Sequence, residues 1–452
     1  MALPPQSSPR ATHGAPPPSA DALTRREVLR GAAAVGVVLA APGAAAATAT
    51  GAEAKAAPAA VTKRGPRIVV VGAGVFGGFT ALALRARGAE VTVVDAWGPG
   101  HARASSGDET RVIRGVYAER VYVELAARAF ELWPEFEKRV GRKLYHHTGA
   151  VWMVSDAGDF VRKAAENLKA VGFEHEEIAT AEAAKRFPQI AFDGVHWALW
   201  EPHAGFLLAR QSCALASDEL VRQGGTVRLA RAQPLTADRI ADGSLKALHL
   251  ADGSTLEADR FVFACGPWLG EMIPGVVGDK LLPTRQDVFY FGTPAGGSRY
   301  DEGTMPVWVD VGERLFYGIP GNERRGFKIA DDTRGERIDP TTMERTPSPE
   351  ALARARDFLA RRFPGLKDAP LAESRVCQYE NSPDHQFILD RHPAAENVWV
   401  IGGGSGHGFK FGPAWGERVA QTVLGERAID PFFGLGRLAQ ISAAAMPRDL
   451  RG

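Results

Sequence analysis

Residues 375–411 read RVCQYENSPDHQFILD, then NVWVIGG, then GSGHGFKF, and they bring together a lone cysteine (Cys377), a glycine turn and a lysine (Lys410). The glycine turn reads as the start of a helix, because Pro413 suits a first turn. Ala414, Trp415, Val419 and Val423 then recur at roughly helical spacing, and Gly425 ends the run. A helix N-terminus at Gly406 to Gly408 presents free N–H groups and a positive dipole end, which favour an anion. Taken alone, the segment reads equally well as a tight strand-to-helix crossover.

A second segment far upstream, RIVVVGAGVFGGFTALALRARGAEVTVVDAW (67–97), decides between these readings. The apolar run Ile68 to Val71 meets Gly72, Gly74 and Gly77 in G-x-G-x-x-G spacing, with Val75 inside the turn. A helix bearing Ala81, Leu82 and Leu84 follows, then a second strand, Val91 to Val94. Asp95 closes that strand about 20 residues after the turn, where a carboxylate can accept hydrogen bonds from a ribose. The glycines alone could serve a crossover without a ligand, but strand, glycines, helix, strand and acid in this order indicate a dinucleotide site.

With 452 residues, 45% hydrophobic and 24% charged, the chain can bury a large core, and two domains are expected. A formal net charge of +1 gives no electrostatic reason to expect nucleic acid. The three cysteines, Cys213, Cys265 and Cys377, show no C-x-x-C spacing, so neither a disulfide scaffold nor a zinc site is indicated. Cys213 lies in a helix-like stretch and Cys265 in a strand-end ACGPW turn, and both read as packing residues.

The first 60 residues read as a leader. Thr24-Arg25-Arg26-Glu27-Val28-Leu29-Arg30 precedes a mildly apolar run from Gly31 to about Ala47. Paired arginines before a short, weak apolar segment indicate a twin-arginine signal and hence export, periplasmic or extracellular. Val28 departs from the usual Phe. The run is too short and Ala/Gly-rich for a membrane anchor, and nothing later is long enough. A disordered extension is the plainer alternative.

Arg111 and Arg114 are expected in a polar loop after the second strand, ahead of an amphipathic helix bearing Tyr122, Leu125, Ala126, Ala129, Phe130, Trp133 and Phe136. That places them near the carboxyl edge of the sheet, as substrate or phosphate clamps or as solvated charges. Further on, an aromatic-rich region contains a hairpin from Leu315–Ile319 to Gly326–Ala330. There Lys328 leaves the sheet on the face opposite Phe327 and Ile329. It reads as an edge-protecting surface residue or as a desolvated functional amine.

From about residue 65 onward the chain resembles the monomeric sarcosine oxidases and N-methyltryptophan oxidases, within the D-amino-acid-oxidase-like flavoproteins. The resemblance is carried by VVGAGVFG, TRVIR with the following VY and ELW, EPHAGFL, GFKI, CQY followed by DHQFILD, and GSGHGFKF, in order and separation. It implies an α/β fold with a Rossmann-like FAD-binding domain and an antiparallel β-sheet substrate domain. The expected parts are a leader (1–60), FAD domain (66–148, 210–278, 373–440) and substrate domain (149–209, 279–372). It further implies FAD held by a thioether to Cys377, Lys328 as the oxygen-activating group, and Arg114 with Lys410 on the substrate carboxylate. Arg111 would lie by the flavin; on this reading Val75 and Val227 also belong to the cofactor set, and His407 and Tyr317 to the catalytic set. The expected reaction takes hydride from the carbon beside the nitrogen of a small amino acid or amine, hydrolyses the imine and reduces molecular oxygen to peroxide. A monomer is expected. Two departures bear on substrate: the loop SSGDETR has its glycine one position further from the arginine than sarcosine oxidases do, and Asp332 stands where they have a histidine. A carboxylate there should repel an acidic side chain if it faces the pocket. A broader amino-acid or amine oxidase, or a flavin dehydrogenase with another acceptor, fits the same motifs.

Overall fold

The computed structural model describes residues 64–155, 158–297 and 299–440; the twin-arginine segment lies outside the described residues. Six strands form one sheet in the order Ile388–His392, Ala395–Gly402, Arg260–Phe263, Arg67–Val71, Glu90–Asp95, Thr226–Leu229. Every neighbouring pair is parallel except the first. Continuous apolar runs such as Ile68–Val71 suit strands covered on both faces, and these side chains are almost wholly buried. The helix Val75–Ala86 follows the glycine turn, and the helix Gly412–Leu424 packs on it. Gly416 permits that approach, because a Cβ there would lie 2.5 Å from the Phe79 backbone.

Eight strands form a second sheet: Leu371–Asn381, Leu282–Phe291, Phe327–Asp331, Leu315–Ile319, Val307–Val311, Ala150–Val154, Trp197–Glu201 and Glu176–Ala179. It is antiparallel except where Val307–Val311 meets Ala150–Val154. The helix Pro349–Arg362 covers it, stacking Phe358 on Trp308 and Phe316. A three-stranded sheet joins Thr110–Ile113, Gly205–Leu208 and Tyr145–His147. The mixed α/β architecture agrees with the sequence reading. Among the described residues no helix is long and apolar enough to cross a membrane.

Three local expectations need correction. Arg111 sits in the short strand Thr110–Ile113, paired with Gly205–Leu208, and not in a loop, whereas Arg114 lies in the loop that follows, ahead of the helix Arg120–Val140, as expected. The final helix begins at Gly412, after a 3-10 turn at Phe409–Phe411, and not at Gly406 to Gly408. Gly403, Ser405 and Gly406 have φ of +67°, +44° and +83°, which no α-helix accommodates. Val227 pairs with Val93 and packs on the hydrophobic core; the chain reaches the cavity only at Ala230 to Ala232.

Candidate active site

The carboxyl ends of the central parallel strands open onto an elongated cavity. One stretch of its wall is the glycine turn: Gly72 (φ +109°) leaves no room for a side chain, since a Cβ would meet the Ala264 carbonyl at 2.3 Å. Gly77 fits equally closely, with a Cβ falling 1.9 Å from the Gly72 carbonyl, while Gly74 stays open to the cavity. Val75 N–H donates to Ser106 Oγ, and no side chain of the Gly74 cap closes the helix, so its positive end faces the cavity. Asp95 also lines it and takes three backbone N–H bonds, from Ala73, Trp97 and Gly98, each at 2.8 Å. Trp97 and Trp268 close in beside it, ring centres 4.8 Å apart. Cys265 packs against the hydrophobic core, as expected, and also lines the cavity, because the strand Arg260–Phe263 ends just before it. Cys213 is buried in the helix Ala209–Arg222, as expected.

These features fit an FAD. An N-terminal helix end suits a diphosphate, a carboxylate at the end of the second strand suits a ribose, and the indole-lined end suits a planar base. Glu380 adds an observation from the opposite wall: its Oε1 has no partner among the described residues, and burial pushes its carboxyl up to about 8.

Where the strand Leu371–Asn381 passes the short strand Thr110–Ile113, Arg111 Nη2 lies 3.2 Å from Cys377 Sγ and donates to the Ser105 carbonyl. Its Nη1 donates to Asp108 Oδ2 at 2.5 Å. The same oxygen receives Lys328 Nζ at 2.6 Å, and Tyr290 O–H donates to Oδ1 at 2.7 Å. Lys328 also donates to the Thr110 carbonyl at 2.9 Å and has no exposed surface. Burial would raise the Asp108 carboxyl; Lys328, then Arg111, outweigh it and hold it far below the usual carboxylate range. The strand Phe327–Asp331 lies between two others, so the surface-edge reading of Lys328 is excluded. Lys328 and Cys377 sit beside Arg111 and its partner Asp108, and it is Arg111 that reaches the cavity wall.

A second cavity shares Arg111, Gly406 and Phe409 with the first. Arg114 lies along its wall with its guanidinium 4.2 Å from the Tyr117 ring centre and 5.0 Å from that of Trp152, donating to the Val116 carbonyl. Lys410 donates to Tyr117 O–H and to the His407 carbonyl, each at 2.7 Å. Burial, then Arg114, lowers its ammonium well below the ordinary range. Burial, then Lys410 and Arg114, likewise keeps His407 neutral. His407 Nε2 faces the His385 carbonyl at 3.0 Å, which assigns the proton to Nε2 and leaves Nδ1 an acceptor without a partner among the described residues. Burial pushes the Tyr317 hydroxyl up. Asp332 faces this cavity, as the sequence reading required, and Tyr379 O–H donates to its Oδ1 at 2.6 Å.

Arg114, Lys410, His407 and Tyr317 thus share one cavity, and Gly72, Gly74, Val75, Asp95, Gly406 and Gly408 share the other. Sequence reasoning missed Asp108, Tyr290, Glu201 and Glu380. Buried Glu201 accepts from Gly115 N–H and Trp152 Nε1, fixing the chain beside Arg114. The displaced glycine of SSGDETR was the available signal for Asp108.

The model for FAD dependent oxidoreductases of the DAO family matches residues 67–422. The monomeric sarcosine oxidase of Bacillus sp. (strain B-0618) is 33% identical over 366 residues, 79% of this chain and 92% of that protein. N-methyl-L-tryptophan oxidase of Salmonella heidelberg is 28% identical over 367 residues, 79% of this chain and 95% of that one. Among solved structures, L-proline dehydrogenase from P. horikoshii superposes with a TM-score of 0.72 at 22% identity, covering 83% of this chain and 98% of that one. Fructosamine oxidase (Amadoriase II) from Aspergillus fumigatus gives 0.72 at 23%, covering 84% and 92%. At those identities the structural likeness is one of fold.

Proposed function

This chain belongs to the FAD-dependent oxidoreductases of the DAO family, in the group of the sarcosine and N-methyltryptophan oxidases, and from that premise we propose that it oxidises a small amino acid or secondary amine. When bound, FAD would supply a hydride acceptor for the carbon beside the nitrogen, leaving an imine that water can hydrolyse. The observation that carries the reading is the pair Arg114 and Lys410, which line one cavity next to the glycine-turn cavity, with Arg111 in the wall they share. Arg114, and Lys410 once a carboxylate beside it favours its ammonium form, can hold that carboxylate and so orient the amine toward that wall. Tyr117 supports both, beneath the guanidinium and at the ammonium.

Oxygen as the acceptor, with Lys328 favouring the developing anion, is part of the proposal, as is a covalent link at Cys377. What supports the link is the burial of this sulfur against Arg111. Export by the twin-arginine route is proposed from Arg25 and Arg26. Replacing both by Lys should trap the precursor in the cytoplasm, and undiminished export would sink that idea.

The test pairs amino acids with matched amines lacking the carboxylate, across N-methyl, cyclic and primary types, in a peroxide assay run beside dye reduction. Arg114→Met or Lys410→Met should cost roughly 2 to 5 kcal/mol in kcat/KM for amino acids and much less for the amines. Equal losses would make this a general amine oxidase, and dye reduction without peroxide would make it a dehydrogenase.

A further inference from the structure

The second cavity is bipolar, and its charges act on one another without pairing directly. Arg114, Lys410 and Asp332 all line it and feel one another through space, yet among the described residues no two of them approach within 4 Å as an ion pair. Packing keeps them apart. Arg114 is spread over Tyr117 and Trp152, Lys410 is drawn to Tyr117 O–H and the His407 carbonyl, and Asp332 is held by Tyr379. Charges left unpaired in a buried site are costly, and a ligand carrying both signs relieves that cost where one carrying a single sign cannot.

Asp332 is also tied to the wall between the two cavities. Tyr379, which fixes its Oδ1, lines the first cavity, and the two cavities meet at Arg111, Gly406 and Phe409. No hydrogen-bond partner takes Oδ2 among the described residues. The charged and titratable groups around the carboxylate are Tyr379, Arg114, Lys410, the neighbouring Asp331, Arg334, Tyr317 and Tyr117. Burial outweighs the opposing pull of Tyr379 and Arg114 and leaves the Asp332 carboxyl raised to about 6, so it is ionised at pH 8.

We propose that Asp332 is the specificity residue for the substrate's amino group, so that the enzyme binds its amino acid as the zwitterion, with the carboxylate on Arg114 and Lys410 and the ammonium on Asp332 Oδ2, to which one ammonium proton passes before hydride leaves the adjacent carbon. The inference rests on the amino-acid reading above and adds to it the selection of charge at nitrogen.

Two isosteric ligands that cannot be oxidised isolate that charge: trimethylglycine, with a quaternary ammonium, and 3,3-dimethylbutanoate, with a carbon in its place. Calorimetric titration of the holoenzyme at pH 8 should show trimethylglycine binding at least about tenfold tighter. Asp332→Asn should bring the two within about twofold while leaving 3,3-dimethylbutanoate bound as well or better, and Asp332→Glu should keep part of the preference. Cofactor absorbance confirms that each variant is loaded. No preference in the wild type, or a preference that survives in Asp332→Asn, overturns the proposal and leaves the carboxylate subsite standing. If instead Arg114→Met and Lys410→Met weaken neither ligand, the carboxylate reading itself fails, and this proposal with it.

Discussion

Replacing Asp108 with Ala should unfold the protein's most concentrated set of buried charges. Lys328 has no exposed side-chain surface and Asp108 has 3%, and their N···O distance is 2.6 Å. The substitution leaves the Lys328 ammonium without a counter-ion, Tyr290 O–H without an acceptor and Arg111 short of one bond. Removing one partner of a buried pair costs about 3 to 5 kcal/mol, because the remaining charge stays desolvated and unpaired. Lys328→Met in the same background removes that stranded charge and fills its space with apolar atoms. The double variant should therefore be more stable than Asp108→Ala, with a coupling energy of roughly 2 kcal/mol or more between the sites. The assay is a denaturant midpoint for wild type, both single variants and the double variant, all as holoprotein with cofactor content matched by absorbance. A single variant as stable as wild type, or single effects that add within about 0.5 kcal/mol, would refute the claim that this network is held by mutual neutralisation.

Cys377→Ser should give a colourless pellet on acid precipitation where the wild type gives a yellow one; free yellow cofactor released from wild type would remove the covalent link. Lys328→Met should slow reoxidation by oxygen by on the order of 100-fold and slow reduction by substrate far less, measured by stopped flow. Equal slowing of both half-reactions would assign Lys328 to the scaffold alone. For Asp332, the carboxyl is raised to about 6, so between about pH 4 and 6 the folded state binds more protons than the unfolded one and stability falls as pH climbs. Asp332→Asn cannot ionise and escapes this fall, so it should gain up to roughly 3 kcal/mol over wild type between about pH 4 and pH 7. A difference between the two proteins that does not change with pH would refute the raised carboxyl.

The elements that hold the cofactor were legible because local rules set them. The strand, glycine turn, helix and acid from Ile68 to Asp95 announce themselves by period and spacing, and Gly72 and Gly77 are glycines because backbone passes where a Cβ would sit. The final helix was legible from Pro413 to Gly425, but its start was not. Glycines at 406 and 408 signal a turn, and only the dihedral angles show that the turn is left-handed. The partners of Lys328 were illegible for a different reason. Asp108 lies 220 residues away in the chain and Tyr290 reaches it from 182, so no sequence window contains the network that decides whether the amine is surface or buried. Val227 was misplaced by three residues, because the exit of an edge strand is set by register with Val93 and not by its own pattern.

The separation between parts of the site also governs how the protein is made. Arg111 and Cys377, in contact in the finished molecule, are 266 residues apart in the chain, and Lys410 and Tyr117 are 293 apart. The glycine turn leaves the ribosome early, whereas the strand Ala395–Gly402 that completes the parallel sheet beside Arg260–Phe263 leaves near the end. At translation rates of about 5 to 20 residues per second, the nascent chain spends on the order of ten seconds with a parallel edge unpaired and half a binding site. Cofactor loading is therefore a late event, and mutations that slow the last hundred residues should lower yield through aggregation before they touch catalysis.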